Sequence, residues 1–171
     1  MLETEVGAVG GTGIDLYPEP LRAEIDRLNA FVGPRVNGGV YRAGFAATQE
    51  AYDAAVLDLF AALDVLEEQL SGRQCLAGER LTEADLRLFA TLIRFDVAYY
   101  GALRCNLRRL VDYPNLWAYT RRLYRVPGIA ATVRLDHVKR HYWDEHPMIN
   151  RRIVPLGPTL DLDAPGPVAA A

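Results

Sequence analysis

A chain of 171 residues, half of them apolar and 24% charged, fits one soluble globular domain with room for a sizeable core. Its net charge is only −3 and its arginines are scattered among acids, which excludes the basic surface of a nucleic-acid or anionic-membrane binder. No apolar run reaches the ~18 residues a membrane span needs, and the opening Met1-Leu2-Glu3-Thr4-Glu5 lacks the basic and apolar regions of a secretory signal, so a cytoplasmic protein is expected.

Residues 1–19 read as a flexible N-terminal arm, with four glycines between Val6 and Ile14 and then Pro18 and Pro20. The glycines do not form a GxGxxG turn after a strand, so no dinucleotide loop is expected. From Pro20 the pattern turns helical: Leu21, Ile25, Leu28 and Val32 share one face, and Gly33-Pro34 should stop the run. The stretch from Val36 to Phe45 contains three glycines and no period, which predicts an irregular connection. Thr48 can then cap a long helix reaching about Ser71. Its apolar face holds Tyr52, Val56, Leu59, Phe60, Leu63, Leu66 and Leu70, opposite Asp53, Asp58, Asp64, Glu67 and Glu68, with Gly72 beyond its end.

The sharpest local signal is Leu81-Thr82-Glu83-Ala84-Asp85. Thr82 and Asp85 have the spacing of a capping box, a structural use that explains both residues without acid–base chemistry. The helix behind it presents Leu86, Phe89, Ala90, Leu92, Ile93 and Val97. It is apolar around most of its circumference, as the central helix of an all-α bundle would be, and Leu86, Phe89, Leu92 and Ile93 should be among the most buried residues. Tyr113-Pro114-Asn115-Leu116 opens another helix, with Leu116, Tyr119, Leu123 and Tyr124 facing inward and Val126-Pro127-Gly128 ending it. A final helix is expected from Ile129 to Trp143. The helical domain thus occupies residues 20–146. Residues 147–171 read as an extended, proline-rich tail packing near Ile153-Val154-Pro155 and ending in a mobile Ala169-Ala170-Ala171.

Several segments together resemble a known family. The capping box, buried helix and Tyr113-Pro114-Asn115-Leu116 resemble the C-terminal domain of glutathione transferases. Four others resemble the Xi class, the glutathionyl-hydroquinone reductases: Val36 through Ala46; Leu92-Ile93-Arg94-Phe95-Asp96; His137-Val138-Lys139-Arg140-His141-Tyr142; and Ile153-Val154-Pro155-Leu156-Gly157-Pro158. The likeness runs from about Tyr17 to Pro158. It implies an all-α glutathione-transferase C-terminal helical bundle, here expected to stand without the thioredoxin-like N-terminal domain. In the family that domain binds the co-substrate glutathione and carries a cysteine in a Cys-Pro-Trp context. The cysteine attacks the sulfur of a glutathionyl-hydroquinone, the hydroquinone leaves, and a second glutathione resolves the mixed disulfide. No Cys-Pro-Trp occurs in these residues, so the chain alone is expected to be inactive. Gly38 stands where family members commonly carry asparagine and is expected to loosen the loop before Tyr41.

The resemblance also implies that Tyr41 and Tyr142 face a quinone-type aromatic substrate. A phenol suits that role, because it offers a flat apolar ring with a hydroxyl that can bond a quinol oxygen. Core tyrosines with their hydroxyls at the surface would give the same sequence. If the cavity is open on one side, both phenols should be exposed, and the aromatic patch would favour a homodimer or a thioredoxin-like partner domain. His137 and His141 have a spacing that could hold a metal, but no third ligand stands at a fixed spacing and none is expected. Cys75 and Cys105 form neither CxxC nor a metal-ligand pattern and read as small buried hydrophobes. Arg94 and Asp96 flank Phe95; Arg94 is expected to satisfy buried carbonyls or to pair with Asp96, with a position on the pocket wall as the functional alternative. A non-catalytic binding or interaction module is the alternative to an enzyme half.

Overall fold

The computed structural model describes residues 15–145 and 152–163. Most of the glycine-rich arm and the Ala169–Ala171 end lie outside them. Among the described residues there is no strand; Cys75 and Gly78 pair across a tight turn as a lone bridge. Every regular element is helical, as the apolar periodicity requires.

Helix α1 (Arg22–Val32) follows a 3₁₀ turn, Glu19–Leu21, that contains Pro20, and buries Ile25, Leu28 and Val32. It does not stop at Gly33-Pro34. The ladder widens into a π-helical segment, Gly33–Asn37, and Gly38 donates its amide to the Gly33 carbonyl at 2.8 Å. A proline lacks the amide an α-ladder would use, and the wider turn accommodates that gap. Helix α2 (Gly39–Gly44) follows directly. The connection expected to be irregular is therefore helical throughout, and Gly38 is an ordinary right-handed residue at φ −78°. A Cβ there would lie 3.3 Å from two carbonyl oxygens, so Gly38 serves close packing instead of loop freedom.

Thr48 caps α3 (Gln49–Gln69), accepting from the Ala51 amide at 3.2 Å, and Gly72 with φ +79° lies beyond its end. The expected apolar face is the buried one, with Tyr52 half-exposed at its start. Glu67 is not merely solvated. Its carboxylate accepts from the amides of Asn115 and Leu116 at 2.8 and 2.7 Å and so caps α6 (Pro114–Tyr124), whose first residue is proline.

Helix α4 (Glu83–Arg94) starts at the expected capping box between Thr82 and Asp85. It packs against α1 and α6, with Leu88, Phe89, Leu92 and Ile93 buried. Leu86 is only half-buried, and Leu88 takes the place expected of it. The reason is register. The stripe Glu83-Arg87-Ala90-Arg94 faces away from the core, and Leu86 flanks it. A second π-helical segment, Phe95–Tyr99, continues into the short α5 (Tyr100–Ala102). Asp96 is buried under the next turn, accepting from the amides of Leu110 and Val111 at 2.6 and 3.1 Å, and does not pair with Arg94. Burial raises its pKa, while those two amides oppose the rise.

The expected final helix is two. Helix α7 (Ile129–Thr132) and α8 (Leu135–Trp143) are separated at Val133, which is extended at φ −90°, ψ 113°. The β-branched Thr132-Val133 pair favours that break, and the Thr132 hydroxyl satisfies the Ile129 carbonyl at 2.7 Å. Helix α8 lies on the second π segment, where the Trp143 indole donates to the Val97 carbonyl at 3.2 Å. Gly101 makes that approach possible, since a Cβ there would sit 2.6 Å from the Trp143 ring. The tail does not anchor at Ile153-Val154-Pro155: Ile153 and Val154 are exposed, and Leu156 is 98% exposed. It packs through Leu160 and Leu162 instead, with the Leu156 carbonyl accepting from Lys139 at 2.8 Å.

Candidate functional site

Three helical stripes and Tyr99 line an open cavity of about 660 Å³. The first stripe is Asn29, Gly33, Asn37 and Tyr41, each four residues after the last, running from α1 through the first π segment to α2. The second is Arg87, Ala90, Thr91 and Arg94, the side of α4 that the core does not take. The third is His137, Val138, His141 and Tyr142 on α8, and Tyr99 closes the second π segment at the base. Both π segments therefore deliver residues to the cavity wall, where a widened turn re-aims a side chain that an α-helix would point elsewhere.

At the aromatic end the Tyr41 and Tyr142 hydroxyls lie 2.6 Å apart, and Tyr99 joins them at 3.3 Å from Tyr142. The Tyr99 ring stands edge-on to both, at centroid distances of 5.9 Å from Tyr41 and 5.2 Å from Tyr142. Tyr41 is 39% exposed, whereas Tyr142 and Tyr99 are 5% and 3% exposed. Tyr142 is thus less exposed than expected, because α8 packs it onto the second π segment against the Tyr99 ring. Burial, reinforced by the Tyr41 hydroxyl, pushes the Tyr142 phenol up to about 12. Burial raises Tyr99 as well, with its phenol neighbours adding to the effect. Both stay protonated at neutral pH and act as hydrogen-bond donors, not as bases.

The opposite end is polar. Asn37 Nδ2 donates to the Thr91 hydroxyl at 2.6 Å and the Arg87 carbonyl at 3.0 Å, tying the first stripe to the second. Asn29 Nδ2 donates to Glu83 at 2.8 Å, while its Oδ1 is buried without a hydrogen bond. Arg94 stands on the cavity wall and donates to the Ala90 carbonyl, which is exposed; it neither satisfies a buried carbonyl there nor pairs with Asp96.

The other candidates fall elsewhere. Thr82 and Asp85 are wholly buried in the capping box and do not line the cavity. His141 Nδ1 bonds Glu145 at 2.8 Å and His137 lies 3.6 Å from Asp136; among the described residues no group of three ligand-type side chains converges. Cys75 and Cys105 are buried, and burial pushes their thiols up to about 11 and about 12. Neither is poised as a thiolate. Tyr99, Asn37 and Thr91 escaped sequence reasoning. The four-residue spacing from Asn29 to Tyr41 was a usable signal for Asn37, but only once the glycine-rich stretch is known to be helical.

No helix of the described residues is long and apolar enough to cross a membrane. Residues 49–122 match the family model of the glutathione S-transferase C-terminal domain. A curated relative, the glutathionyl-hydroquinone reductase PcpF of Sphingobium chlorophenolicum, is 53% identical over 92% of this chain and 50% of its own length. Among solved structures, the glutathione-bound form of YqjG, a glutathione transferase homologue from Escherichia coli K-12, superposes with a TM-score of 0.93. It is 45% identical over 98% of this chain and 55% of that one. The Xi-class transferase from Natrialba magadii also gives 0.93, at 45% identity over 96% of this chain and 51% of that one. The chain spans about half the length of the curated relatives it matches.

Proposed function

The chain belongs to the glutathione-transferase family as a C-terminal helical domain of the Xi, glutathionyl-hydroquinone reductase kind, and on that premise we propose that it forms the aromatic-substrate half of a glutathione-dependent reductase. The observation that carries this reading is the Tyr41–Tyr142 hydroxyl pair at the edge of an open cavity. A phenol both donates and accepts one hydrogen bond readily, so a row of three leaves one proton to offer outward. If Tyr99 donates to Tyr142 and Tyr142 to Tyr41, the half-exposed Tyr41 presents its proton to a quinol oxygen, and the two buried phenols polarise it.

The reaction proposed is the reduction of a glutathionyl-hydroquinone. A thiolate of a thioredoxin-like domain, joined in cis or in trans, attacks the conjugate's sulfur. The sulfur–carbon bond breaks, its electron pair passes to the ring with a proton, and hydroquinone leaves. Glutathione, held mainly by that same domain, then resolves the mixed disulfide to glutathione disulfide and restores the thiol. The tyrosines' share is to hold the ring oxygen by a preformed donor while charge builds on the ring. Neither thiol of this chain can replace the attacking one, since both are buried and held protonated.

Calorimetric titration of the 171-residue chain with 1,4-hydroquinone tests this reading. Saturable one-site binding is expected, weakened about tenfold by Tyr41→Phe or Tyr142→Phe, the scale of one lost hydrogen bond. Equal affinity in all three proteins would reject the tyrosine pair as the binding element.

A further inference from the structure

The cavity wall is basic in a chain that is not. Acids outnumber Lys plus Arg by 22 to 19 overall. Yet the wall includes Arg87, Arg94, His137 and His141 and not one aspartate or glutamate. Arg87 and Arg94 are two turns apart on α4, roughly 10 Å along its axis, and the two histidines are one turn apart on α8. The nearby carboxylates pair with three of these groups. Glu83 bonds Arg87 at 3.4 Å and Asn29 at 2.8 Å, Glu145 holds His141, and Asp136 adjoins His137.

Arg94 differs from the other three. No carboxylate lies within ion-pair distance of it among the described residues, and its Nη1 is fixed on the Ala90 carbonyl. That contact anchors one edge of a planar fork and leaves its other donors available. Its charge reaches the phenol cluster, where it favours ionisation of Tyr142. A neutral ring held by phenol hydroxyls gives no reason for a cation without a counter-charge beside them. A ligand that brings its own carboxylate does, because the guanidinium donates two parallel hydrogen bonds to that group.

Building on the reading that the tyrosines hold a hydroquinone, we propose that the cavity also contains a carboxylate subsite centred on Arg94, with Arg87 as the second guanidinium on the same wall. The substrate class is then an anionic aromatic, its ring at Tyr41 and Tyr142 and its carboxylate one step along α4. The carboxylate could come from a substituent on the ring or from the glutathionyl part of a conjugate. The chemistry at Arg94 is the same for both.

The test titrates the 171-residue chain with three probes: 1,4-hydroquinone, 2,5-dihydroxyphenylacetate and S-methylglutathione. Arg94→Gln should weaken at least one of the two acids about fivefold or more, while hydroquinone changes by less than about twofold. Loss confined to the dihydroxyphenylacetate assigns the subsite to a ring carboxylate, and loss confined to S-methylglutathione assigns it to the glutathionyl moiety. Raised salt should weaken the same acid in the wild type and not in the variant. If neither acid responds to Arg94→Gln, the subsite is rejected. Circular dichroism checks that the variant is folded. Should it not be, Arg87→Gln and Arg94→Lys replace it, the first expected to weaken the acid and the second to retain part of its binding; no change with Arg87→Gln then overturns the proposal. Hydroquinone failing to bind the wild type would sink the tyrosine reading instead and leave the two acid titrations interpretable.

Discussion

Tyr119 on α6 donates its hydroxyl to Asp85 Oδ1 on α4 at 2.8 Å, with both residues wholly buried. The same oxygen accepts from the Leu76 amide at 2.8 Å, and Oδ2 accepts from the Thr82 amide and hydroxyl, both at 2.8 Å. One side chain thus joins the turn before α4, the start of α4 and the middle of α6. Burial and the neighbouring Asp85 together hold the Tyr119 phenol well above its ordinary range.

That arrangement separates two substitutions the capping-box pattern treats alike. Thr82→Ala removes one hydroxyl and should cost about 1 kcal/mol, the usual value of an N-cap. Asp85→Ala strands the Leu76 and Thr82 amides and the Tyr119 hydroxyl in the core, and should cost roughly 3 kcal/mol or more, at about 1–3 for each buried group left unsatisfied. Urea melts would order them, with Asp85→Ala far below Thr82→Ala. Equal midpoints for the two would mean that Asp85 acts only as a local cap.

The thiols lead to a second expectation. Cys75 and Cys105 are pushed from an ordinary 9.0 up to about 11 and about 12, in each case first by burial. A group whose folded pKa is raised stabilises the native state fully below its unfolded value and ceases to as pH climbs through the folded one. Stability should therefore decline between about pH 9 and pH 12. At pH 8 an aromatic disulfide reagent should label neither thiol in the native protein and both after denaturation. For the same reason the isolated chain should not turn over a glutathionyl-hydroquinone. Turnover that disappears with Cys75→Ser or Cys105→Ser would contradict the burial argument.

The helices were legible because each needs a buried apolar stripe, and spacing alone places Leu59, Leu63 and Leu66 or Leu116, Tyr119 and Leu123 on one face. The two π segments were not. Widening a turn by one residue leaves the apolar pattern almost intact, so Gly33-Pro34 looks like a stop and Phe95–Tyr99 like more of α4. Half of the candidate site was lost with them: Tyr99 reads as another core aromatic until the widened turn aims its hydroxyl at Tyr142. Tyr41 and Tyr142 came from resemblance to a family, since nothing in either local sequence indicates that two residues 101 apart meet. The Val133 break and the Leu160–Leu162 anchor are tertiary outcomes that periodicity does not report.

A third prediction concerns the seating of α8. Gly101 faces the Trp143 ring so closely that an alanine Cβ would lie 2.6 Å from it. Gly101→Ala must displace the indole, and with it the hydrogen bond to Val97 at 3.2 Å. A cost of about 1–3 kcal/mol is expected, the range of an overpacked core. Because Tyr142 is the preceding residue, hydroquinone affinity should fall as well. Altered Trp143 emission in a Trp117→Phe background reports the displacement. Unchanged emission together with unchanged stability would show that the ring relaxes freely.

The final prediction is a double-mutant cycle on Tyr41 and Tyr142. Tyr142 stands between Tyr41 at 2.6 Å and Tyr99 at 3.3 Å, and the two inner rings are buried while Tyr41 is not. Tyr41→Phe leaves Tyr142 its contact with Tyr99, and water can reach the vacated edge, so the stability cost should be small, about 0.5 kcal/mol. Tyr142→Phe removes the hydroxyl that Tyr99 bonds, inside the core, and should cost about 1–2 kcal/mol. The double variant should lose less than the sum of the two, since the Tyr41–Tyr142 bond is removed only once. A coupling of about 0.5 kcal/mol is expected, close to the whole cost of Tyr41→Phe, as for groups in direct contact. The same cycle run on hydroquinone affinity should show coupling too, because Tyr41 is a better donor when Tyr142 bonds its oxygen. Additive stability effects would mean that the two hydroxyls do not bond in solution. Coupling in stability with strict additivity in binding would mean that the pair holds α8 against α2 and takes no part in receiving a ligand.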